Sequence, residues 1–286
     1  MKDQTMENLQ LVCLNGRFIP HEDAAIAIND GGYLFGETLF ETFKAHKKTI
    51  MLEQQHLDRI EKSAVRLDFP FQRQIIEKSL QQLATGLTSD TSRIRLTLSR
   101  GTFTGLRWPE QEEASFLITA REYPEISDRK RTQGISCVTA PNRRVNPFSH
   151  LPQMKHGNYA DCLYAYNFAH KSGADEALFI DQLERVLEVS SANIFALIDD
   201  RLITPPADHL VLDGIMRQQV IHTAAELGIP FSEKRVTYPE LLQAEEVFIT
   251  NSLIDILPVS RIDEHSIQRG TTWKSLLKTL WMRIEI

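Results

Sequence analysis

Cysteine is scarce in this 286-residue chain: Cys13, Cys137 and Cys162 are far apart and odd in number. That excludes a disulfide-stapled scaffold and a zinc site built from cysteines. An excess of basic residues is also missing. Lys and Arg number 32 against 38 Asp and Glu, for a formal charge of −6 and a pI near 5.9, so the electrostatic footprint of a general nucleic-acid binder is lacking. No apolar run approaches the ~20 residues of a membrane span, and mean hydropathy is −0.26. The polar segment Met1–Gln10 carries no apolar core of a signal peptide. The expectation is a cytoplasmic protein with neither membrane nor nucleic acid as partner. The Walker phosphate loop, the His-Glu-x-x-His pair, the EF-hand loop and the Gly-x-Ser-x-Gly elbow are missing too. Gly31, Gly32 and Gly36 make a loop but no dinucleotide fingerprint, and the nine histidines show no ligand spacing, so no metal is expected.

What is present is ordinary for a globular chain: 42% hydrophobic and 24% charged residues. At roughly 150 residues per domain the length suits one large or two medium domains. Leu9–Leu14 and Arg17–Ile19 read as strands around the Asn15-Gly16 turn, a strong hairpin signal. Glu41–Leu52 reads as two strands around a Lys47-Lys48 tip. Glu53–Leu67 carries Leu57, Ile60, Ala64 and Leu67 at helical spacing, and Phe71–Leu87 reads as a second helix. Strands follow at Arg93–Leu98 and Ser115–Arg121. Tyr123-Pro124 and the polar run after it read as a linker. Beyond it come a strand at Gly134–Ala140, a helix at Asn158–Lys171 and a meander of short strands from Ala177 to Ile203. A helix over Gly214–Leu227 stops at Gly228, strands occupy Val247–Thr250 and Ile256–Val259, and a last helix spans Trp273–Met282. The division expected is a smaller N-terminal α+β domain over 1–122, a linker over 123–133 and a larger C-terminal α+β domain over 134–286. Runs of strands interrupted by helices predict α+β rather than strict βαβ alternation.

Four segments stand out together: His56-Leu57-Asp58-Arg59, Met154-Lys155-His156-Gly157-Asn158-Tyr159, Glu188-Val189-Ser190-Ser191-Ala192-Asn193, and Gly214-Ile215-Met216-Arg217-Gln218 followed by Thr250-Asn251-Ser252. In this order they resemble the fold-type IV pyridoxal-phosphate enzymes. That family includes branched-chain and D-amino-acid aminotransferases and 4-amino-4-deoxychorismate lyase. The resemblance runs from about Asn15 to Val259 and implies the family's two-domain α+β fold, with the larger C-terminal domain binding the cofactor. Pyridoxal phosphate needs a lysine for its aldehyde, a carboxylate for its pyridine nitrogen and a cup for its phosphate. The resemblance gives the first role to Lys155, which alone would read as a solvated surface lysine. It gives the second to Glu188, followed by Asn193; alone, Glu188 would read as a surface glutamate at a strand end. Free N–H groups at a helix start bind anions, and Gly214, Ile215 and Met216 open such a helix. Met216 stands where the family often carries threonine. Arg59 adds a charge-assisted hydrogen bond, Asn251 and Ser252 add donors, and Leu212 matches the position that packs on the cofactor ring.

Within the family, Lys155-His156, the Gly-Ile-Met-Arg-Gln wording and Asn251 resemble the lyase, which converts 4-amino-4-deoxychorismate to 4-aminobenzoate and pyruvate in folate biosynthesis. So does the Ser99-Arg100-Gly101-Thr102 segment with Arg107 beyond it. Phe40-Glu41 resembles the aminotransferases, where the lyase carries threonine; Gly157-Asn158-Tyr159 is also found in the branched-chain enzymes, and Arg100-Gly-Thr is shared with the D-amino-acid aminotransferases. The alternative is therefore a class IV aminotransferase acting on D-amino or branched-chain amino acids. A third reading, a non-catalytic binding protein of the same fold, sits poorly with the joint retention of Lys155, Arg59 and Glu188. Arg107 is the first candidate to grip a substrate carboxylate, with equal weight as a solvated loop arginine; Arg143 and Arg144 are weaker candidates. Phe40 and Thr42 are expected to line the substrate face. The partner expected is a small-molecule substrate, and the resemblance implies a homodimer. The apolar face of the last helix, Trp273, Leu276, Leu277, Leu280 and Trp281, suits core or interface.

Overall fold

Tight hairpins organise the N-terminal part of the computed structural model, which describes residues 11–109, 114–144, 151–208 and 210–284. Leu9 and Gln10 of the first expected strand lie outside the described residues. The chain divides into two units. The first runs to Glu125 and takes in Met154–Asn158 from far along the chain; the second holds Ile126–Gln153 and everything from Tyr159 onward.

The first unit contains β1 (Leu11–Leu14), β2 (Arg17–Ile19), α1 (Gly31–Phe35), β3 (Thr38–His46), β4 (Thr49–Ile50), α2 (Glu53–Arg66), α3 (Arg73–Thr85), β5 (Thr91–Ser99) and β6 (Ser115–Glu122). Its sheet has the order β2-β1-β6-β5-β3-β4 and is antiparallel throughout. Asn15 and Gly16, at φ 50 and 81, join β1 to β2, and Lys47 and Lys48, at φ 44 and 72, join β3 to β4. Two left-handed residues in succession match the twist of a two-residue hairpin. Side chains alternate across β3. Leu39, Phe43 and Ala45 enter a core with Leu57, Ile60 and Ala64 of α2, Ile76, Leu80 and Leu83 of α3, and Ile94, Leu96 and Ile118 of the sheet. Phe40, Thr42 and Lys44 point from the opposite face. The Met154–Asn158 segment joins the start of β3: the Phe40 N–H donates to the Lys155 carbonyl at 2.9 Å and the Gly157 N–H to the Thr38 carbonyl at 2.7 Å. Gly157 is required there, because a Cβ would overlap Thr38 Oγ1.

The second unit contains α4 (Asp128–Gln133), β7 (Ile135–Thr139), α5 (Ala160–Lys171), β8 (Glu176–Ile180), β9 (Val186–Val189), β10 (Asn193–Ile198), β11 (Arg201–Thr204), α6 (Ile215–Glu226), β12 (Phe231–Glu233), α7 (Tyr238–Leu242), β13 (Glu246–Asn251), β14 (Asp255–Ile262), β15 (His265–Ser266) and α8 (Thr272–Ile284). Its sheet runs β12-β11-β10-β13-β14-β7-β8-β9, with β15 beside β14. Pairing is parallel at β14/β7, β7/β8 and β11/β12 and antiparallel elsewhere. Ile135, Leu178, Val189, Ile194, Ile249 and Val259 share one core, while Ala165 and Ala169 let α5 lie close on Ala177 and Phe179. Trp273, Leu276, Leu277 and Leu280 of α8 are buried, so that apolar stripe belongs largely to the core. The polar stretch that reads as linker holds α4, capped by the Ser127 hydroxyl accepting the Lys130 N–H. Among the described residues no helix is long and apolar enough to cross a membrane.

Candidate active site

In the first unit the chemistry gathers around Lys155. Its carbonyl is held by β3, and its Nζ lies 4.7 Å from the centroid of the Phe40 ring. The guanidinium carbon of Arg95 on β5 lies 3.8 Å from the same centroid, so two cations share one aromatic ring. Thr42 pairs with Arg95 across the strands. His156 follows Lys155 and is buried. Its Nδ1 accepts the Asn158 N–H at 3.1 Å, so Nε2 carries a proton and donates it to Glu37, 3.3 Å away. That hydrogen bond, joined by Arg100, holds the Glu37 carboxyl below its usual range against the opposing effect of burial.

Arg100 is buried and committed. It donates to Glu37 at 2.9 Å and to the carbonyls of Asp68 and Leu67. Its guanidinium lies between the Phe69 and Trp108 rings at 4.0 and 3.9 Å. Arg107 is exposed in the loop that follows.

Behind β3, Glu41 is fully buried. Arg59 of α2 grips it with a fork, Nε to Oε1 and Nη2 to Oε2, both at 2.7 Å. His56 Nδ1 meets the same Oε2 at 2.7 Å. Burial pushes the Glu41 carboxyl up, but Arg59 and His56 outweigh it and bring it to about 2. Burial lowers the His56 value despite Glu41, and the charges of Arg59 and Lys155 act the same way. Against the Glu41 carboxylate, His56 Nδ1 is the donor. Glu41 faces the helices, one residue out of phase with Phe40 and Thr42.

In the second unit Glu188, at the end of β9, is the hub. Oε2 accepts from Asn193 Nδ2 and from the Leu212 N–H, each at 3.2 Å. Arg144 Nη2 lies 3.5 Å from Oε1, and Arg144 also meets Asp161 at 3.2 Å. Asn193 Nδ2 further donates to the Leu212 carbonyl at 2.8 Å. The turn after β9 is fastened from below: Ser190 and Ser191 donate to the buried Glu176, and Tyr159 donates to the Ser190 carbonyl at 3.0 Å. Asn251 Oδ1 accepts the N–H groups of Leu253 and Ile254, and its Nδ2 donates to the Ser191 carbonyl. Its amide thus ties two turns together, with Ser252 beside it. Arg143 is spent on the carbonyls of Ile180 and Asp181.

The residues present fit the group that the sequence resemblance implies. No side chain caps α6, whose N-cap is Gly214. The first-turn N–H groups of Ile215 and Met216 are the orphans of a helix start, which carries partial positive charge. A Cβ on Gly214 would overlap Asn193 Oδ1, so glycine lets the helix start pack on the residue that orients Glu188. Arg144 Nε is buried with no hydrogen-bond partner, whereas its Nη atoms serve carboxylates and Cys162. Among the described residues no cluster of His, Cys, Asp or Glu suits a metal ion.

The structure places Phe40, Thr42, Arg59 and Lys155 in the first unit and Glu188, Asn193, Leu212, Gly214, Ile215, Met216, Asn251 and Ser252 in the second. Arg95 and Glu37 were not singled out by sequence, and His56 and Tyr159 stood in the quoted segments without a role. Arg95 had a signal: Arg93, Arg95, Thr97 and Ser99 alternate with apolar residues, the mark of a strand with one polar face. Arg144, weighed only as a carboxylate grip for substrate, pairs with residues 17 and 44 positions away, which no local pattern reveals.

The family model of the class IV amino-transferases matches residues 38–262. A D-alanine aminotransferase of Listeria monocytogenes is 30% identical over 265 residues, covering 91% of this chain and 90% of its own. The structure of 4-amino-4-deoxychorismate lyase from Pseudomonas aeruginosa superposes with a TM-score of 0.87 at 27% identity, covering 96% of this chain and all of that one. A T.th. branched-chain amino acid aminotransferase with pyridoxamine 5'-phosphate superposes with a TM-score of 0.89 at 26% identity, covering 96% of this chain and 93% of that one.

Proposed function

The chain belongs to the amino-transferase class IV family, and from that premise we propose that it is a pyridoxal-phosphate lyase that converts 4-amino-4-deoxychorismate to 4-aminobenzoate and pyruvate. The observation that carries this reading is the position of Glu41. It is the residue whose identity most resembles the aminotransferases, yet it is buried against α2 and bonded to His56 and Arg59. It belongs to the scaffold of the site, so it does not argue against a lyase. Lys155-His156, Gly-Ile-Met-Arg-Gln and Asn251 then carry the lyase resemblance, with Phe40 the aminotransferase-like residue left on the substrate side of β3.

Bound pyridoxal phosphate supplies an electron sink for the substrate carbon that bears the amine. Lys155 Nζ would hold the cofactor at its aldehyde and, when free, would accept the proton from that carbon. Loss of this proton drives cleavage of the carbon–oxygen bond to the enolpyruvyl group. That group leaves and is protonated to pyruvate, and the six-membered ring becomes aromatic. Glu188, oriented by Asn193, the Leu212 N–H and Arg144, serves the pyridine nitrogen and favours its protonated form. The family resemblance assigns the phosphate to Arg59 and to the α6 start, and the ring to Leu212. Arg95, on the Phe40 ring that Lys155 also faces, is better placed than Arg107 to draw a substrate carboxylate toward the base. We place the reaction in a homodimer, as the family resemblance implies, and in the cytoplasm, as the composition suggests.

The second reading, an aminotransferase for D-amino or branched-chain amino acids, is favoured by the D-alanine aminotransferase likeness. Incubation with aminodeoxychorismate and no keto acid distinguishes the two. Equimolar pyruvate and 4-aminobenzoate over many turnovers support the lyase. Absence of both products, with amino-group exchange between D-alanine or leucine and a keto acid, overturns it.

A further inference from the structure

Arg59 is a long side chain on the surface of a helix, and such a side chain loses much rotamer freedom when it must hold one pose. Here the pose is imposed from inside. Two of its three guanidinium nitrogens are bonded to a carboxylate that is 0% exposed, at 2.7 Å each, and a bidentate fork fixes the plane of the guanidinium as well as its place. The carboxylate is itself fixed from the other side by His56, a residue 1% exposed and packed on Phe43 with ring centroids 4.8 Å apart. His56 and Arg59 lie three positions apart on α2, so both reach one acceptor on β3. A carboxylate buried among core side chains is costly unless fully paired. Leu39, Phe43 and Ala45 around it are apolar, and a further apolar residue would fill that face without this cost.

We propose that Glu41, seated on His56, is the positioning residue for the Arg59 guanidinium, holding it ready for the cofactor's phosphate before the cofactor arrives. The inference rests on the reading that Arg59 serves the phosphate. Glu41 touches neither substrate nor cofactor; it acts through Arg59. Preorganisation of this kind is expected to appear as affinity for the phosphate and not for the rest of the cofactor, because the ordering of Arg59 is completed in folding instead of in binding.

The test compares two probes on the full-length protein stripped of cofactor: pyridoxal phosphate and unphosphorylated pyridoxal. The ratio of their affinities reads the phosphate contribution alone, and a general loosening of the fold weakens both probes together. In Arg59→Gln the ratio is expected to fall roughly tenfold or more, the scale of one charge-assisted hydrogen bond. In Glu41→Gln it is expected to fall to a similar extent, with pyridoxal affinity nearly unchanged, and the double variant is expected to add little to either single one. Glu41→Asp keeps the charge but is one methylene too short to fill the fork, and an intermediate loss is expected even if the amide variant does not fold. A ratio that falls in Arg59→Gln but stays within about twofold of wild type in Glu41→Gln or Glu41→Asp overturns the role of Glu41 and leaves the phosphate reading standing. A ratio unchanged in Arg59→Gln overturns that reading, and the role of Glu41 with it.

Discussion

At the scale of single residues, the charges of the site are held by other charges and not by solvent. Glu41 is the extreme instance, and its consequence is acid sensitivity of a definite sign. Its carboxyl sits near 2 in the fold against an ordinary value of 4.5, so its stabilising effect is complete above about 4.5 and is lost as pH falls from there toward 2. The total is on the order of 3 kcal/mol. His56 acts in the same sense higher up: its folded value lies below the ordinary 6.5, so below that pH the unfolded chain takes up the proton first and stability declines. Urea unfolding midpoints of the wild type are expected to fall more steeply than those of Glu41→Gln between about pH 4.5 and about pH 3. Parallel pH profiles would mean that Glu41 is not ionised and paired in the fold.

At the scale of elements, the site depends on where helices and turns begin. Gly214 has ordinary extended backbone, φ −70 and ψ 136, so alanine is tolerated by the backbone and opposed by packing. Its Cβ would push Asn193 off Glu188 and out of its bond to Leu212. Gly214→Ala is therefore expected to cost about 1–3 kcal/mol of stability through overpacking and to lower cofactor retention in dialysis. Full retention with wild-type turnover would show that the α6 start and the Glu188 cluster are independent. The elements most legible in the sequence were those with a local cause. Asn15-Gly16 specified a hairpin through its left-handed preference, Leu57, Ile60 and Ala64 specified α2 by spacing, and Gly228 marked the end of α6. Less legible were the elements whose cause is a cap or a distant partner. α4 lies in a polar run with no apolar stripe. α7 is five residues long and is announced only by Thr237 and Glu240, whose side chains complete a reciprocal cap. The Met154–Asn158 segment is shaped by β3, more than a hundred residues earlier in the chain. The residues proposed for the cofactor stood out as wording; Arg95 left only an alternating polar pattern, and the bonds that Asn193, Leu212 and Arg144 make to Glu188 became visible only through the fold.

At the scale of the whole molecule, a chain of net charge −6 keeps the cations proposed for its site in specific places: Arg59 and Arg95 with Lys155 in the first unit, Arg144 in the second. Substrate choice and reaction type depend on how these are used, but every version of the family's chemistry depends on one amine. The most direct test is reduction of the cofactor-loaded enzyme with borohydride, followed by digestion and mass analysis. A single phosphopyridoxyl group is expected on the peptide containing Lys155, and none fixed to the Lys155→Ala variant. A group fixed to another lysine, or unchanged fixation in Lys155→Ala, would contradict the role of Lys155 and the chemistry built on it.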